Sequence, residues 1–73
     1  MKLKRGKWYK DRNGQVWKIV YIHTNTEVRY PVIAINLDME EEGIMDAETF
    51  SLSGEFMLGG DLGFNLVEEV TCS

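Results

Sequence analysis

Cysteine, proline and histidine occur once each in this chain, and neither lysine nor arginine occurs beyond Arg29. Cys72 is the lone thiol, so no disulfide forms within the chain and a reducing compartment, the cytoplasm, is expected. His23 is the lone imidazole and lies far from Cys72 in sequence, which leaves neither a zinc ligand set nor a Cys-His nucleophile pair. No stretch approaches the ~20 apolar residues that span a bilayer, so no membrane association is expected. The basic opening MKLKRGKWYK leads into no apolar segment, which predicts no secretory signal. Apolar residues at helical spacing are also scarce, which argues against a helical bundle.

What is present fits one globular domain over residues 1–73, with 44% apolar and 27% charged residues. At this size a single core is barely sufficient, so a homodimer is the natural alternative to a monomer. The net charge of −4 conceals a split between the two parts of the chain. Before Tyr30 there are eight basic residues against Asp11 and Glu27, a net of +6; from Tyr30 onward there are ten acids and no base, a net of −10. Such a split describes either a dipolar binding surface or basic and acidic strands that neutralise each other across a sheet, and adjacency in a small fold favours the second.

Short β-rich runs recur between turn signals. Gly6–Lys10 (GKWYK) is followed by Asp11–Gly14 (DRNG), where Asn13-Gly14 predicts a hairpin because both residues tolerate positive φ. Gln15–His23 (QVWKIVYIH) is apolar on both faces, as expected of a central strand or one that bends to serve two sheets. Arg29–Leu37, Ile44–Phe50, Glu55–Leu58 and Phe64–Val70 supply further strands, and Pro31 belongs near the start of its own. The polar Thr24–Val28 loop, an Asp38–Gly43 turn, the SLSG turn and the GGDLG loop separate them. A helical turn over DAETFSL capped by Asp46 is the rival reading of the fourth run, but it is too short and ends in turn formers.

This pattern predicts an all-β fold, a small antiparallel SH3-like barrel of five or six short strands, because closure removes sheet edges that so short a chain could not otherwise cover. The expected core comprises Trp17, Ile19, Val20, Ile33, Ile35, Phe50, Phe56, Leu58, Leu66 and Val67.

Two clusters invite a functional reading. The first is acidic: Asp38, Glu40, Glu41, Glu42, Asp46 and Glu48. Set on a calcium loop, Asp38, Glu40, Glu42, Gly43 and Asp46 occupy appropriate positions, but Thr49 stands where the bidentate Glu is required, and β-like runs replace the flanking helices. General acid–base catalysis needs one carboxyl in an apolar pocket, whereas three consecutive glutamates in a turn stay solvated and ionised. A surface for a protein partner, or a mimic of phosphate charge, is the remaining use.

The second cluster interleaves Lys4, Arg5, Lys7, Lys10 and Arg12 with Trp8 and Tyr9, cations for phosphates beside rings that stack on bases. Against it stands a pI near 4.8, since nucleic-acid domains are normally basic. Ser51 and Ser53 lie in a turn with no base nearby in sequence, and GGDLG carries no lysine and opens no helix, so neither suggests catalysis or phosphate binding.

The punctuation of the chain adds a resemblance. Gly6, RNG at Arg12–Gly14, Tyr30-Pro31, SGEF at Ser53–Phe56 and the closing DLGFNLVEE follow one another in an order that resembles small phage and prophage proteins. Those run as G…RDG…YP…, a DGRY-like turn and a terminal DLVE. Here Ser53-Gly54-Glu55 replaces Asp-Gly-Arg, and Gly63-Phe64-Asn65 separates Asp61-Leu62 from Leu66-Val67. The resemblance implies a small, non-enzymatic accessory protein of a mobile element, of unassigned function, acting in the host cytoplasm. Small size and the acid-rich half make binding of a host or phage protein, as an inhibitor or adaptor, the first expectation, and the residues predict no cofactor or metal. Nucleic-acid binding through the basic hairpin and structural self-association are the alternatives.

Overall fold

β-Branched and aromatic residues bounded by turn formers give five strands: β1 (Trp8–Asp11), β2 (Val16–Ile22), β3 (Val32–Asn36), β4 (Ala47–Phe50) and β5 (Leu66–Val70). One short helix, α1 (Leu37–Glu41), joins β3 to β4. The structure is a computed structural model and describes residues 2–25, 27–58 and 63–71. Cys72 and most of the GGDLG loop, Gly59 to Leu62, lie outside the described residues.

The strands form one antiparallel sheet in the order β4-β3-β2-β1-β5, the meander with a returning last strand of a small SH3-like barrel. β2 is central, as its two apolar faces lead one to expect, and its register against β3 shifts between Ile19 and Tyr21. The two edges are brought together by the segment after β4. Phe56 bridges back to Phe50, and the Leu66 N–H donates to the Gly54 carbonyl at 2.8 Å. The Leu3 N–H donates to the Leu52 carbonyl at 2.8 Å, so the N-terminal arm crosses the same end. Glu55–Leu58, expected as a strand, therefore contributes one bridging residue inside a turn.

The hairpin expected at Asn13-Gly14 joins β1 to β2. Gly14 alone takes positive φ (86°), and Asn13 does not. The Gly14 N–H bonds the Asp11 carbonyl at 3.1 Å and the Asp11 N–H bonds the Gln15 carbonyl at 2.9 Å, a three-residue loop ending in a glycine bulge. The expected Asp38–Gly43 turn begins instead as helix. Asn36 caps it by accepting from the Asp38 and Met39 N–H groups, at 3.0 and 3.2 Å, and Asp38 and Glu40 sit in the first turn where the helix dipole favours negative charge.

The core holds Leu3, Tyr9, Trp17, Ile19, Val32, Ala34, Phe50, Phe56 and Leu66. Rings dominate it: Trp17 meets Phe50 edge-on at 5.3 Å, Phe50 meets Phe56 at 5.7 Å, and Phe56 meets the half-buried Phe64 at 5.3 Å. Five of the ten expected core residues lie elsewhere. Val20, Leu58 and Val67 are exposed, and Ile33 and Ile35 are half-buried on the outer face. Register explains the isoleucines. Val32 pairs with Phe50, Ala34 with Ile19 and Asn36 with Trp17, so the smaller residues of β3 face the large inner side chains and the isoleucines alternate outward.

Two polar side chains are buried with them. Asp11 is 2% exposed and accepts three hydrogen bonds at 2.9 Å: Oδ1 from the Asn13 and Gln15 N–H groups, Oδ2 from the Trp17 indole Nε1–H. Asn36, besides capping α1, donates from Nδ2 to Gln15 Oε1 at 3.0 Å. Both are thus satisfied, and both tie the β1–β2 turn to neighbouring elements.

Candidate interaction surface

Alternation along β1 sends Trp8 and Tyr9 to opposite faces. Tyr9 is fully buried, its hydroxyl accepting from the Lys4 N–H at 2.9 Å and reaching Glu69 Oε1 at 3.5 Å. Burial first, then the Glu69 carboxylate, pushes its phenol above the ordinary value, although the Lys4 N–H opposes the shift. Trp8 is half-buried on the outer face, in a row that crosses the whole sheet: Val70, Trp8, Lys18, Ile35 and Ala47 are successive cross-strand partners.

On this outer face lies a groove of about 440 Å³. Trp8, Val20, Ile35 and Leu37 supply its apolar lining, Lys18 lies among them, and Glu40 and Glu41 of α1 form one rim. Trp8 also lines a second, smaller groove of about 200 Å³, together with Gly6, Lys7, Glu69, Val70 and Thr71. A large aromatic flanked by apolar residues and rimmed by charge is the composition of a protein-interface anchor.

The structure sorts the acidic cluster into different tasks. Asp38 Oδ2 accepts the Val16 N–H at 2.8 Å and so pins α1 to the start of β2. Glu42 is the C-cap residue of α1, its N–H bonded back to the helix carbonyls. The Asp46 carbonyl accepts the Asn36 N–H at 2.9 Å. The half-buried Glu48 carboxyl is raised above its ordinary value, by desolvation first and then by the neighbouring Asp46 charge and a hydrogen bond with it. Only Glu40 and Glu41 of the six line the groove.

The basic cluster divides as well. Lys4, Arg5, Lys7 and Arg12 are exposed, Lys10 lies between Val16 and Glu68 on its neighbouring strands, and Tyr9 belongs to the core with no face left for a base. The pairing of β1 with β5 sets one pair of opposite charges across the sheet, Lys10 against Glu68. Sequence reasoning singled out Trp8, Glu40 and Glu41 in two separate clusters, and the fold joins them in one groove. It missed Lys18, Val20, Ile35 and Leu37; the signal available was the second apolar face of β2.

Ser51 and Ser53 hold the turn after β4, their hydroxyls 3.0 Å apart and the Glu55 N–H donating to Ser51 Oγ at 3.0 Å. His23 Nδ1 accepts the Asn25 N–H at 2.9 Å in the β2–β3 loop. Among the described residues no three His, Cys, Asp or Glu side chains converge on a metal position, and no helix is long and apolar enough to cross a membrane. Comparison with known proteins gives no match to a protein-family model, a curated protein or a solved structure.

Proposed function

We propose that this chain is a small, non-enzymatic accessory protein that binds a protein partner through the outer face of its sheet, around Trp8. One observation carries the reading: Trp8, Val20, Ile35 and Leu37 are spared from the core and gathered in one groove beside Glu40 and Glu41. Apolar side chains grouped around an aromatic and rimmed by charge have the composition of a surface that a protein partner covers. The turn pattern resembling small phage proteins supports an adaptor or inhibitor encoded by a mobile element and working in the host cytoplasm. Within the acidic cluster the binding role narrows to Glu40 and Glu41, while Asp38 serves the fold.

Affinity capture from host extract tests this. Trp8→Ala and Glu40→Lys/Glu41→Lys should each abolish retention of the specific partner, while Arg12→Glu, at the distant turn, should retain it, all with unchanged circular dichroism. Retention indifferent to Trp8 and the α1 glutamates but lost with Arg12→Glu, together with salt-sensitive binding to DNA or RNA, would transfer the function to the basic end.

A further inference from the structure

The groove lies on the seam between the two charge halves of the sequence. Trp8, Lys18 and Val20 come from the segment of net +6, and Ile35, Leu37, Glu40 and Glu41 from the segment of net −10. One wall therefore carries an exposed cation and the other two exposed carboxylates, with apolar side chains between them. A purely basic partner would leave Lys18 facing like charge, and a purely acidic one would leave Glu40 and Glu41 so. The fitting occupant has both signs with apolar side chains between them.

A second copy of this chain meets that description without further assumption. In a twofold pairing each residue's contact is returned by its symmetry mate, so Lys18 of one copy faces Glu40 and Glu41 of the other twice over. Trp8 lines both grooves, so the indole that one copy offers lies beside the hollow that would receive the indole of its mate. We infer that the chain pairs with a second copy of itself through this face, Trp8 packed against the opposing groove and Lys18 set against the opposing Glu40 and Glu41. The inference rests on the outer face being the binding surface and names its first occupant; a partner of the same bipolar chemistry competes for that face.

Charge exchange decides the matter, because the three charged residues are exposed and their substitution spares the core. Sedimentation equilibrium of the wild-type chain at about 100 μM should give a mass well above the 8.4 kDa of one copy, approaching twice that value. Lys18→Glu alone places three acids together, and Glu40→Lys/Glu41→Lys alone places three bases together; each should weaken pairing at least tenfold. An equimolar mixture of the two variants restores opposite charges at both contacts, so it should pair as tightly as wild type.

A wild-type chain that stays monomeric at about 1 mM overturns the inference. So does a dimer that both variants leave intact, or a mixture that fails to restore pairing. Should the chain prove monomeric while partner capture still depends on Trp8, the outer face remains the binding surface and only its occupant is wrong. Monomeric behaviour together with capture indifferent to Trp8 removes both.

Discussion

Replacing Asp11 with alanine removes the acceptor of three hydrogen bonds from a site that is 2% exposed. The losses are unequal. The Asn13 and Gln15 N–H groups lie at a turn that water reaches, so each costs about 0.5–1 kcal/mol. The Trp17 indole N–H is enclosed, since Trp17 is 1% exposed, and an orphaned buried donor costs about 1–3 kcal/mol. Asp11→Ala should therefore destabilise the domain by about 3 kcal/mol, against a total of about 4–11 kcal/mol expected for 73 residues. At about 4–8 °C per kcal/mol in a domain of this size, Tm should fall by more than about 12 °C.

Trp17→Phe removes the donor instead, leaving Asp11 Oδ2 buried without its partner and disturbing the contact with Phe50. In the double variant neither orphan remains, so the two single costs should exceed the double cost by about 1–2 kcal/mol. Urea unfolding of the four proteins, followed by circular dichroism, measures this coupling. A coupling below about 0.3 kcal/mol would refute the view that the Asp11–Trp17 hydrogen bond links the first turn to the core.

The Tyr9 phenol is raised above 10.0, so the folded state holds its proton more tightly than the unfolded chain; the stability this contributes is fully present below pH 10 and is lost as pH rises through the raised value. Tyr9→Phe should cost about 1 kcal/mol at neutral pH and flatten the alkaline limb of a Tm-against-pH curve. Glu48 is likewise raised above 4.5, so its favourable contribution exists below that pH and disappears as the group ionises beside Asp46. Glu48→Gln should stabilise the fold by about 0.5 kcal/mol near pH 7, with the gain vanishing by about pH 3 in urea titrations at the two pH values. Gly63 has φ of 79°, and a Cβ there would stand 2.5 Å from Asn13 Oδ1. Gly63→Ala should thus lower the urea midpoint by the equivalent of about 1–2 kcal/mol.

Strand number and the central place of β2 are legible in the sequence, because β-branched runs and turn formers act locally. Strand parity in β3 is not. Val32-Ile33-Ala34-Ile35 is apolar on both faces, and only the large inner partners Phe50, Ile19 and Trp17 decide that the smaller residues turn inward. The same ambiguity hides which of Trp8 and Tyr9 faces the core, and with it the site. Asp11 escapes a reading that places acids at the surface, since its burial depends on an indole six residues away in sequence. α1 is too short for a helical period, yet Asn36 followed by Asp38 and Glu40 is a recognisable helix start. The groove itself is a product of topology, joining residues of β1, β2, β3 and α1 that no local pattern connects.

Whether the outer face or the basic end does the binding is read most directly by NMR of the ¹⁵N-labelled chain. Spectra would be taken on concentrating the protein, on adding fractionated host extract and on adding single-stranded DNA at low salt. Binding centred on Trp8 predicts shifts and broadening at Trp8, Lys18, Val20, Ile35, Leu37, Glu40 and Glu41 with protein ligands, and quiet signals at Lys4, Arg5 and Arg12. Perturbation confined to Lys4, Arg5, Lys7 and Arg12, with the Trp8 indole signal unmoved, would contradict it.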